Sequence, residues 1–261
     1  MSPTALKGYL SRLVVILVVA LGAMQGARAD EWKWEIIPFL WAPEVGVDVS
    51  LNEADISPTL DFGEILERTD VGALLHFEGQ KGRGGFFVDV VYLSVSDDRT
   101  NPGGGLIPAG TRSDAEYDQL VGEVGGVYRL TGDEQGLDLI FGARLLEVSL
   151  DLGIDFPDTS ILPDRTRSGD ASLLDGFAGL RYRGDISERW HWSIRGDVGA
   201  GDTDLTWLGA LTFGAKLGKS GNKTLYLGYR HLAYEFDRGS KPIKEFEVEL
   251  SGPGVGFGFS F

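Results

Sequence analysis

Alternation of apolar and polar residues is the dominant pattern along this chain. In the stretch WHWSIRGDVGA the even-numbered positions are apolar or small, and the odd-numbered positions include His191, Arg195 and Asp197. The stretches FFVDVVY and LTWLGALTFGAKLG alternate in a similar way. Side chains two residues apart lie on the same face of a strand, so each stretch predicts a β-strand with one apolar and one polar face.

The alternating stretches predict an all-β chain of ten strands. The predicted strands are 32–44, 71–80, 84–96, 115–131, 136–150, 170–184, 189–201, 205–218, 223–236 and 244–261. Short turns alternate with longer polar connections, of which 97–114 and 151–170 are the longest. Residues 45–56 either extend the first strand or form a separate hairpin, so eight and twelve strands are the alternatives.

Three segments depart from plain alternation. In the last strand the apolar positions are even-numbered up to Leu250 and odd-numbered from Val255, which predicts a β-bulge within residues 251–254. A similar slip is expected near residues 145–146. Residues 61–70 (DFGEILERTD) fit either two turns of helix or an ordinary loop turn.

The first 29 residues have the organisation of a signal peptide. Lys7 and Arg12 precede the apolar run LVVILVVALGA, and Ala27-Arg28-Ala29 has the small residues of a cleavage site. The apolar run is too short to span a bilayer as a helix. We therefore expect residues 1–29 to be a signal peptide and residues 30–261 to form one domain.

Composition narrows the classes of function. The net charge at pH 7 is −15, so the chain is not expected to bind nucleic acid. Cysteine is absent and only three histidines are present, which excludes disulfide staples, thiolate metal sites and cysteine nucleophiles. The sequence predicts neither a cofactor nor a metal site.

Beyond the predicted signal peptide, no apolar stretch reaches the roughly 18 residues that a membrane helix needs. A chain that enters lipid without such helices must form a closed barrel, which pairs every backbone group. Aromatic residues near the strand ends suit interfacial girdles: Trp32, Trp34, Tyr92, Tyr128, Tyr182, Trp190, Trp192 and Trp207. The alternative is a soluble β-sandwich or a lipocalin-like barrel, which would bury its apolar face.

The last strand carries Phe257, Phe259 and Phe261 on one face. It resembles the terminal strand of bacterial outer-membrane β-barrels, which the barrel-assembly machinery reads, and the chain is similar to small OmpA-like, OmpW-like or porin-like barrels. The resemblance implies a single closed antiparallel transmembrane β-barrel with short periplasmic turns and longer external loops. It also implies a location in the outer membrane of a Gram-negative bacterium, in contact with lipid and lipopolysaccharide.

If the apolar faces meet lipid, the polar faces line the lumen. The predicted lumen charges are Glu35, Glu78, Asp89, Glu123, Arg144, Asp175, Arg181, Arg195, Asp197 and Arg230, together with His76, Arg129 and His191. Two interpretations are open: a paired network that fills a narrow barrel, or a narrow aqueous pore lined by opposite charges. We therefore expect a narrow passive channel for small solutes or a structural barrel.

Two other classes of function are weaker. An interaction or adhesion barrel would act through the loops 97–114 and 151–170. An enzyme acting on lipid would need a nucleophile, a base and an orienting group. The nearest candidates are the pairs His76 with Glu78 and His191 with Ser193, and no GxSxG motif is present. No catalytic residue is predicted, and the oligomeric state cannot be read from the sequence.

Overall fold

The computed structural model describes residues 32–51, 55–56, 59–60, 69–101, 109–131, 135–157, 165–218, 221–236 and 243–261. These residues form strands and the connections between them. The strands are β1 (Lys33–Trp41), β2 (Glu44–Leu51), β3 (Asp55–Ile56), β4 (Thr59–Leu60), β5 (Thr69–Lys81), β6 (Gly84–Thr100), β7 (Arg112–Arg129), β8 (Gly136–Asp155), β9 (Arg165–Asp185), β10 (Trp190–Gly201), β11 (Leu205–Leu217), β12 (Lys223–Phe236) and β13 (Ile243–Ser260).

Ten of these strands close into an antiparallel barrel. From β5 to β13, each strand pairs with the next one along the chain, and β1 pairs with both β5 and β13. At the closure, the backbone N–H of Trp34 donates to the carbonyl of Phe261 at 3.0 Å, and the N–H of Phe261 donates to the carbonyl of Trp34 at 3.0 Å. The predicted ten-stranded barrel is confirmed.

Strand β2 continues the path of β1 along the same partner. β1 pairs with the second half of β13, and β2 pairs with its first half. Ala42 and Pro43 separate the two strands, and the N–H of Ala42 still donates to the carbonyl of Pro253 at 2.9 Å. The short strands β3 and β4 pair with the other edge of β2. Of the predicted segment 45–56, residues 45–51 therefore extend the path of the first strand, and residues 55–56 pair back on them.

The two ends of the barrel differ. At one end, short turns join β5 to β6, β7 to β8, β9 to β10 and β11 to β12. At the other end, β6 and β7 stay paired as far as Thr100 and Arg112, and β8 and β9 as far as Ile154 and Arg165. The predicted loops 97–114 and 151–170 thus begin and end in strand, at residues 97–100, 112–114, 151–155 and 165–170. The reason is that β-pairing can continue through polar residues beyond the lipid-facing part. We call residues 94–100, 112–118, 147–155 and 165–172 the outer arm.

The predicted bulges are absent. The pairing of β12 with β13 runs without a shift through residues 251–254, from Leu232 opposite Leu250 to Gly228 opposite Gly254. The pairing of β8 with β9 is equally continuous through Leu145 and Leu146. Register shifts occur instead at Thr69/Val71 and at Ile243/Glu245.

Apolar side chains cover the outside of the barrel. Exposed outward-facing examples are Val124, Leu139, Phe141, Leu174, Leu180, Ile194, Val198, Leu211, Phe213, Leu225, Leu227, Tyr229, Val255 and Phe259. On β8 this band ends where Leu145 gives way to Glu147, and on β9 where Leu174 gives way to Ser172. A folded water-soluble protein would bury such a surface, so the exterior contradicts the soluble alternative.

Two predicted segments fall outside the described residues. They are the signal peptide, residues 1–29, and positions 61–68 of the possible helix. Within the part of the chain that the structure describes, no helix is long and apolar enough to cross a membrane.

Candidate functional site in the barrel lumen

The structure places all ten predicted lumen charges inside the barrel. Alternation within each strand produces this arrangement, because the residue before and after each of them faces outward. The ten residues do not form one uniform lining, however. They divide between two ion-paired clusters at different depths and a few separate positions.

The mouth cluster lies near the short turns and consists of Glu78, Gln80, Arg129, Asp138, Arg181 and Arg183. Arg181 donates two hydrogen bonds to the carboxylate of Glu78, at 2.6 and 2.8 Å. Asp138 is fully buried and accepts from Arg129 at 3.3 Å and from Arg181 at 3.2 Å. Arg183 Nη2 lies 2.9 Å from Asp138 Oδ2. Three guanidinium groups thus share two carboxylates.

The central cluster lies deeper and consists of Asp89, Glu123, Arg144, Asp197, Arg195 and Arg230. Glu123 accepts from Arg144 at 2.9 Å, from Arg195 at 2.8 Å and from Arg230 at 3.0 Å. Its three arginines and three carboxylates balance in charge.

The central cluster is closed by further short contacts. Asp197 accepts from Arg144 and from Arg195, each at 2.7 Å, and Asp89 accepts from Arg230 at 3.1 Å. Arg144 is 0% exposed, and its remaining terminal nitrogen donates to Thr206 Oγ1 at 3.0 Å. Every terminal nitrogen of Arg144 therefore has a partner.

Two buried aromatic rings lie between the two clusters and pack against arginines of the central cluster. Phe87 and Phe177 are buried together with Val127 and Ile140. The guanidinium carbon of Arg144 lies 5.0 Å from the ring centre of Phe177, and that of Arg195 lies 5.1 Å from the ring centre of Phe87. These cation–π contacts hold the guanidinium groups against the rings.

An apolar layer lies beyond the central cluster, on the side of the outer arm. Its buried members form one packed group and come from strands all around the barrel. They are Trp41, Val91, Val121, Leu146, Leu208, Leu232, Tyr234 and Leu250. We call this layer the plug. Because side chains from opposite walls meet in it, the lumen is filled at this level.

The plug explains the two wrongly predicted bulges. Leu146 and Leu250 are apolar residues that face the interior as members of the plug. Apolar residues can change from even to odd positions along a strand for two reasons: an inserted residue, or an interior that is itself apolar. Here the interior is apolar.

Four predicted lumen residues lie outside the two clusters: Glu35, Asp175, His76 and His191. Glu35 accepts a hydrogen bond from the hydroxyl of Tyr226 at 2.6 Å. Asp175 accepts from the backbone N–H of Thr203 at 2.9 Å and from its hydroxyl at 2.8 Å, which fixes the turn between β10 and β11. His76 lies between the clusters, with Nδ1 3.2 Å from Asp89 and Nε2 3.5 Å from Glu78.

A cavity of about 720 Å³ occupies the part of the lumen next to the short turns. Residues at the rim include Lys33, Asp185 and Asn222, and the deep end is formed by Arg195 and Arg230 of the central cluster with Trp41 and Leu208 of the plug. The cavity therefore opens at the short-turn end and is blind at the central cluster.

The eight predicted girdle residues lie on the outside of the barrel. Trp32 stacks on Trp34 with ring centres 5.0 Å apart, and Tyr182 packs against Trp192 at 5.5 Å. Tyr128 and Trp190 lie exposed near the same end. Trp207 and Tyr92 lie nearer the outer arm, where Trp207 stacks on His231 at 4.3 Å and Tyr92 donates to Asp118 at 3.0 Å. The ring centres of Phe257 and Phe259 on β13 are 5.0 Å apart. Phe259 and Phe261, the residue that follows β13, are exposed.

Sequence reasoning missed Asp138, Arg183 and the plug. Asp138 has the same parity on β8 as Arg144, and Arg183 the same parity on β9 as Arg181, so alternation could have found both. The plug gives no such signal. In the sequence, an apolar residue that faces the lumen cannot be distinguished from a shift that turns the apolar face of the strand.

An apolar exterior and an ion-paired interior together define a transmembrane β-barrel of the bacterial outer-membrane type. No family model matches the sequence, and no curated protein does. The chain is similar to solved outer-membrane barrels. One is the attachment invasion locus protein Ail of Yersinia pestis, with 10% identity, 88% of this chain and 99% of that chain covered, and a TM-score of 0.35.

Two further solved structures have higher TM-scores. The translocator domain of the autotransporter NalP from Neisseria meningitidis has 12% identity, covers 98% of this chain and 97% of its own, and has a TM-score of 0.44. The outer membrane protease OmpT from Escherichia coli has 9% identity, coverages of 89% and 97%, and a TM-score of 0.43. The three proteins are thus an attachment protein, a translocator domain and a protease, so barrels of this general shape serve different functions.

Proposed function

We propose that this chain is an outer-membrane β-barrel that is closed across its middle and serves as a structural or interaction barrel, not as an open pore. The observation that supports this is the stacking of the central cluster and the plug. A barrel of ten strands is narrow enough for side chains from opposite walls to meet. Glu123 and Arg144 are 1% and 0% exposed, so water does not reach the middle of this network.

The location follows from features of the chain itself. The predicted signal peptide would export it, and the apolar exterior suits lipid. In such barrels the short turns lie in the periplasm and the longer extensions lie outside the cell. On this proposal, the cavity opens towards the periplasm and the outer arm extends from the cell surface.

The outer arm favours an interaction role over a purely structural one. It continues four paired strands beyond the apolar band, up to Thr100 opposite Arg112 and Ile154 opposite Arg165. Its β8 strand exposes Leu150, Leu152 and Ile154 by about 40% each. A barrel that only filled space would not need strands of this length.

An enzymatic role is not proposed. His76 contacts two carboxylates, an arrangement that suits an ion-paired network more than the activation of a nucleophile. The ring of His191 packs edge-on against Tyr226, with centres 5.6 Å apart.

Planar-bilayer recording of the refolded protein tests the proposal. Folding is first checked by the mobility of an unboiled sample on a gel. We expect no steady conductance steps from the wild-type chain, with an open porin in the same bilayer as the positive control. Regular ohmic steps whose number rises with the amount of folded protein would overturn the closed-barrel proposal.

A further inference from the structure

The periplasmic cavity has two unlike walls. On the side of β11, β12 and β13, short residues face inward: Ala210, Thr212, Thr224, Gly228, Gly254 and Gly256. On the opposite side, the arginines of the mouth cluster project inward from β7 and β9. The short residues leave free space beside the arginines, and this is why a narrow barrel retains about 720 Å³ at this end.

The mouth cluster has one more cation than its carboxylates balance. Arg183 has short contacts only through Nη2, which lies 2.9 Å from Asp138 Oδ2 and donates to Gln80 Oε1 at 3.3 Å. Its Nη1 lies 3.8 Å from Glu78, which already accepts two shorter bonds from Arg181. Arg183 Nε is buried and has no hydrogen-bond partner among the residues that the structure describes. An unpaired donor in a buried position costs free energy unless something else accepts from it.

A second unpartnered nitrogen belongs to His191, which lines the same cavity. Its ring lies over Gly214 and against Tyr226, and its Nδ1 is buried with no hydrogen-bond partner in the described part of the chain. Lys216 lines the cavity as well. The carboxylate nearest to these groups in the chain, Asp185, already accepts from the amide of Gln135.

We propose that this cavity binds a small organic anion, with its carboxylate or phosphate oxygens at Arg183 and His191 and the rest of the molecule along the wall of short residues. An oxyanion there supplies an acceptor for Arg183 Nε, which has none among the described residues, and balances the extra charge of the mouth cluster. The ligand comes from the periplasmic side, because the cavity is blind at the central cluster. This inference concerns the mouth of the barrel and holds whether or not the barrel conducts.

Histidine NMR offers a direct test, because the chain has only three histidines. The ring signals of His76, His191 and His231 are assigned by single substitutions in the refolded barrel. Inorganic phosphate and acetate are then titrated separately at constant ionic strength. We expect at least one of them to move the His191 signal saturably, while the signal of His231, on the outer face, stays in place.

Two charge-neutralising variants separate binding from screening. R183Q should weaken the saturable response of His191 about tenfold, as expected for the loss of a charge-assisted hydrogen bond. R165Q removes the same charge from the exposed outer arm and should leave the titration unchanged. If R183Q does not refold, K216Q at the exposed rim replaces it, with an expected weakening of roughly threefold from the loss of a nearby charge.

Three results would overturn the inference. The first is a His191 signal that does not respond to either anion at tens of millimolar. The second is a response of equal size in His231, which would mean non-specific screening. The third is an unchanged affinity in whichever of R183Q and K216Q is folded.

Discussion

Among the described residues of the lumen, Glu123 and Asp138 each contact three arginines. From β7, Glu123 accepts hydrogen bonds from Arg144 on β8, Arg195 on β10 and Arg230 on β12. One carboxylate therefore connects four strands, two of which are far from it in the chain. Removing one partner of a buried ion pair is costly, because the remaining charge stays buried without compensation.

Replacing Glu123 with Gln should strongly destabilise the barrel. We expect the free energy of unfolding to fall by about 3–5 kcal/mol, because three guanidinium groups lose their shared anion. Urea unfolding in lipid vesicles, followed by tryptophan fluorescence, measures this.

Glu188→Gln is the matched control, since it makes the same change in an exposed turn between β9 and β10. It should alter stability by no more than about 0.5 kcal/mol. Equal unfolding midpoints for the two variants would mean that Glu123 does not hold the central cluster together.

At the scale of the element, β12 shows how one strand faces two environments. Leu225, Leu227 and Tyr229 are exposed on the outside, whereas Leu232 and Tyr234 are fully buried in the plug. Both sets are apolar, so hydrophobicity alone does not distinguish them. The contacts on each face make the difference, and substitutions on the two faces should therefore have unlike effects.

Leu232→Ala should cost more stability than Leu227→Ala, although both remove the same atoms from the same strand. In the plug, the substitution leaves a cavity and should cost about 2–5 kcal/mol. On the outside, lipid fills the space, so that only part of this cost remains. Parallel unfolding measurements of the two variants decide the matter, and a larger loss for Leu227→Ala would contradict the existence of the plug.

The joint course of β1 and β2 along β13 is a second feature at this scale. The backbone of Val47 is paired with that of Val248, so cysteines at these two positions should form a disulfide on oxidation. The chain has no cysteine of its own that could interfere. The cross-link is detected by gel mobility without reducing agent.

Cysteines at Val47 and Glu247 are the control for this register. A shift of one residue turns the side chain to the opposite face of the sheet, so this pair should remain reduced. Equal cross-linking of both pairs would indicate that β2 does not keep a fixed register with β13.

The sequence predicted the positions of the strands and the side to which each residue points. It did not predict which side chains contact each other. Alternation along β10 was enough to assign Arg195 and Asp197 to the lumen, because it depends only on the geometry of a single strand. That Asp197 would contact Arg144 depends on the curvature and register of the whole barrel, which no local pattern encodes. The plug was misread as two bulges for the same reason.

At the scale of the whole molecule, the barrel and the outer arm are distinct in construction. The two charged clusters, the aromatic rings and the plug all lie within the barrel. The arm consists of the outer ends of β6, β7, β8 and β9, whose pairing follows that of the barrel strands without a shift. Stability should therefore reside in the barrel, and the arm should be removable.

A shortened chain tests this separation. Asp97 faces Ala115, and Asp151 faces Ser168, so residues 98–114 and 152–167 can each be replaced by Asn-Gly to close a tight hairpin. We expect the shortened protein to fold with an unchanged shift in gel mobility on boiling. Failure to fold would show that the outer arm stabilises the barrel.

The ion pairs of the central cluster join distant strands, and this affects the order in which the barrel assembles. Asp89 and Glu123 lie in the first half of the chain, but their partner Arg230 is on β12, the last strand but one. A partly formed sheet would have to carry these charges into lipid without their counterions, which is strongly unfavourable. We therefore expect the strands to associate first in a more hydrated environment. The barrel should insert into the bilayer only after the hairpin of β12 and β13 has joined the other strands. The same charges that fill the finished barrel would in this way time its insertion.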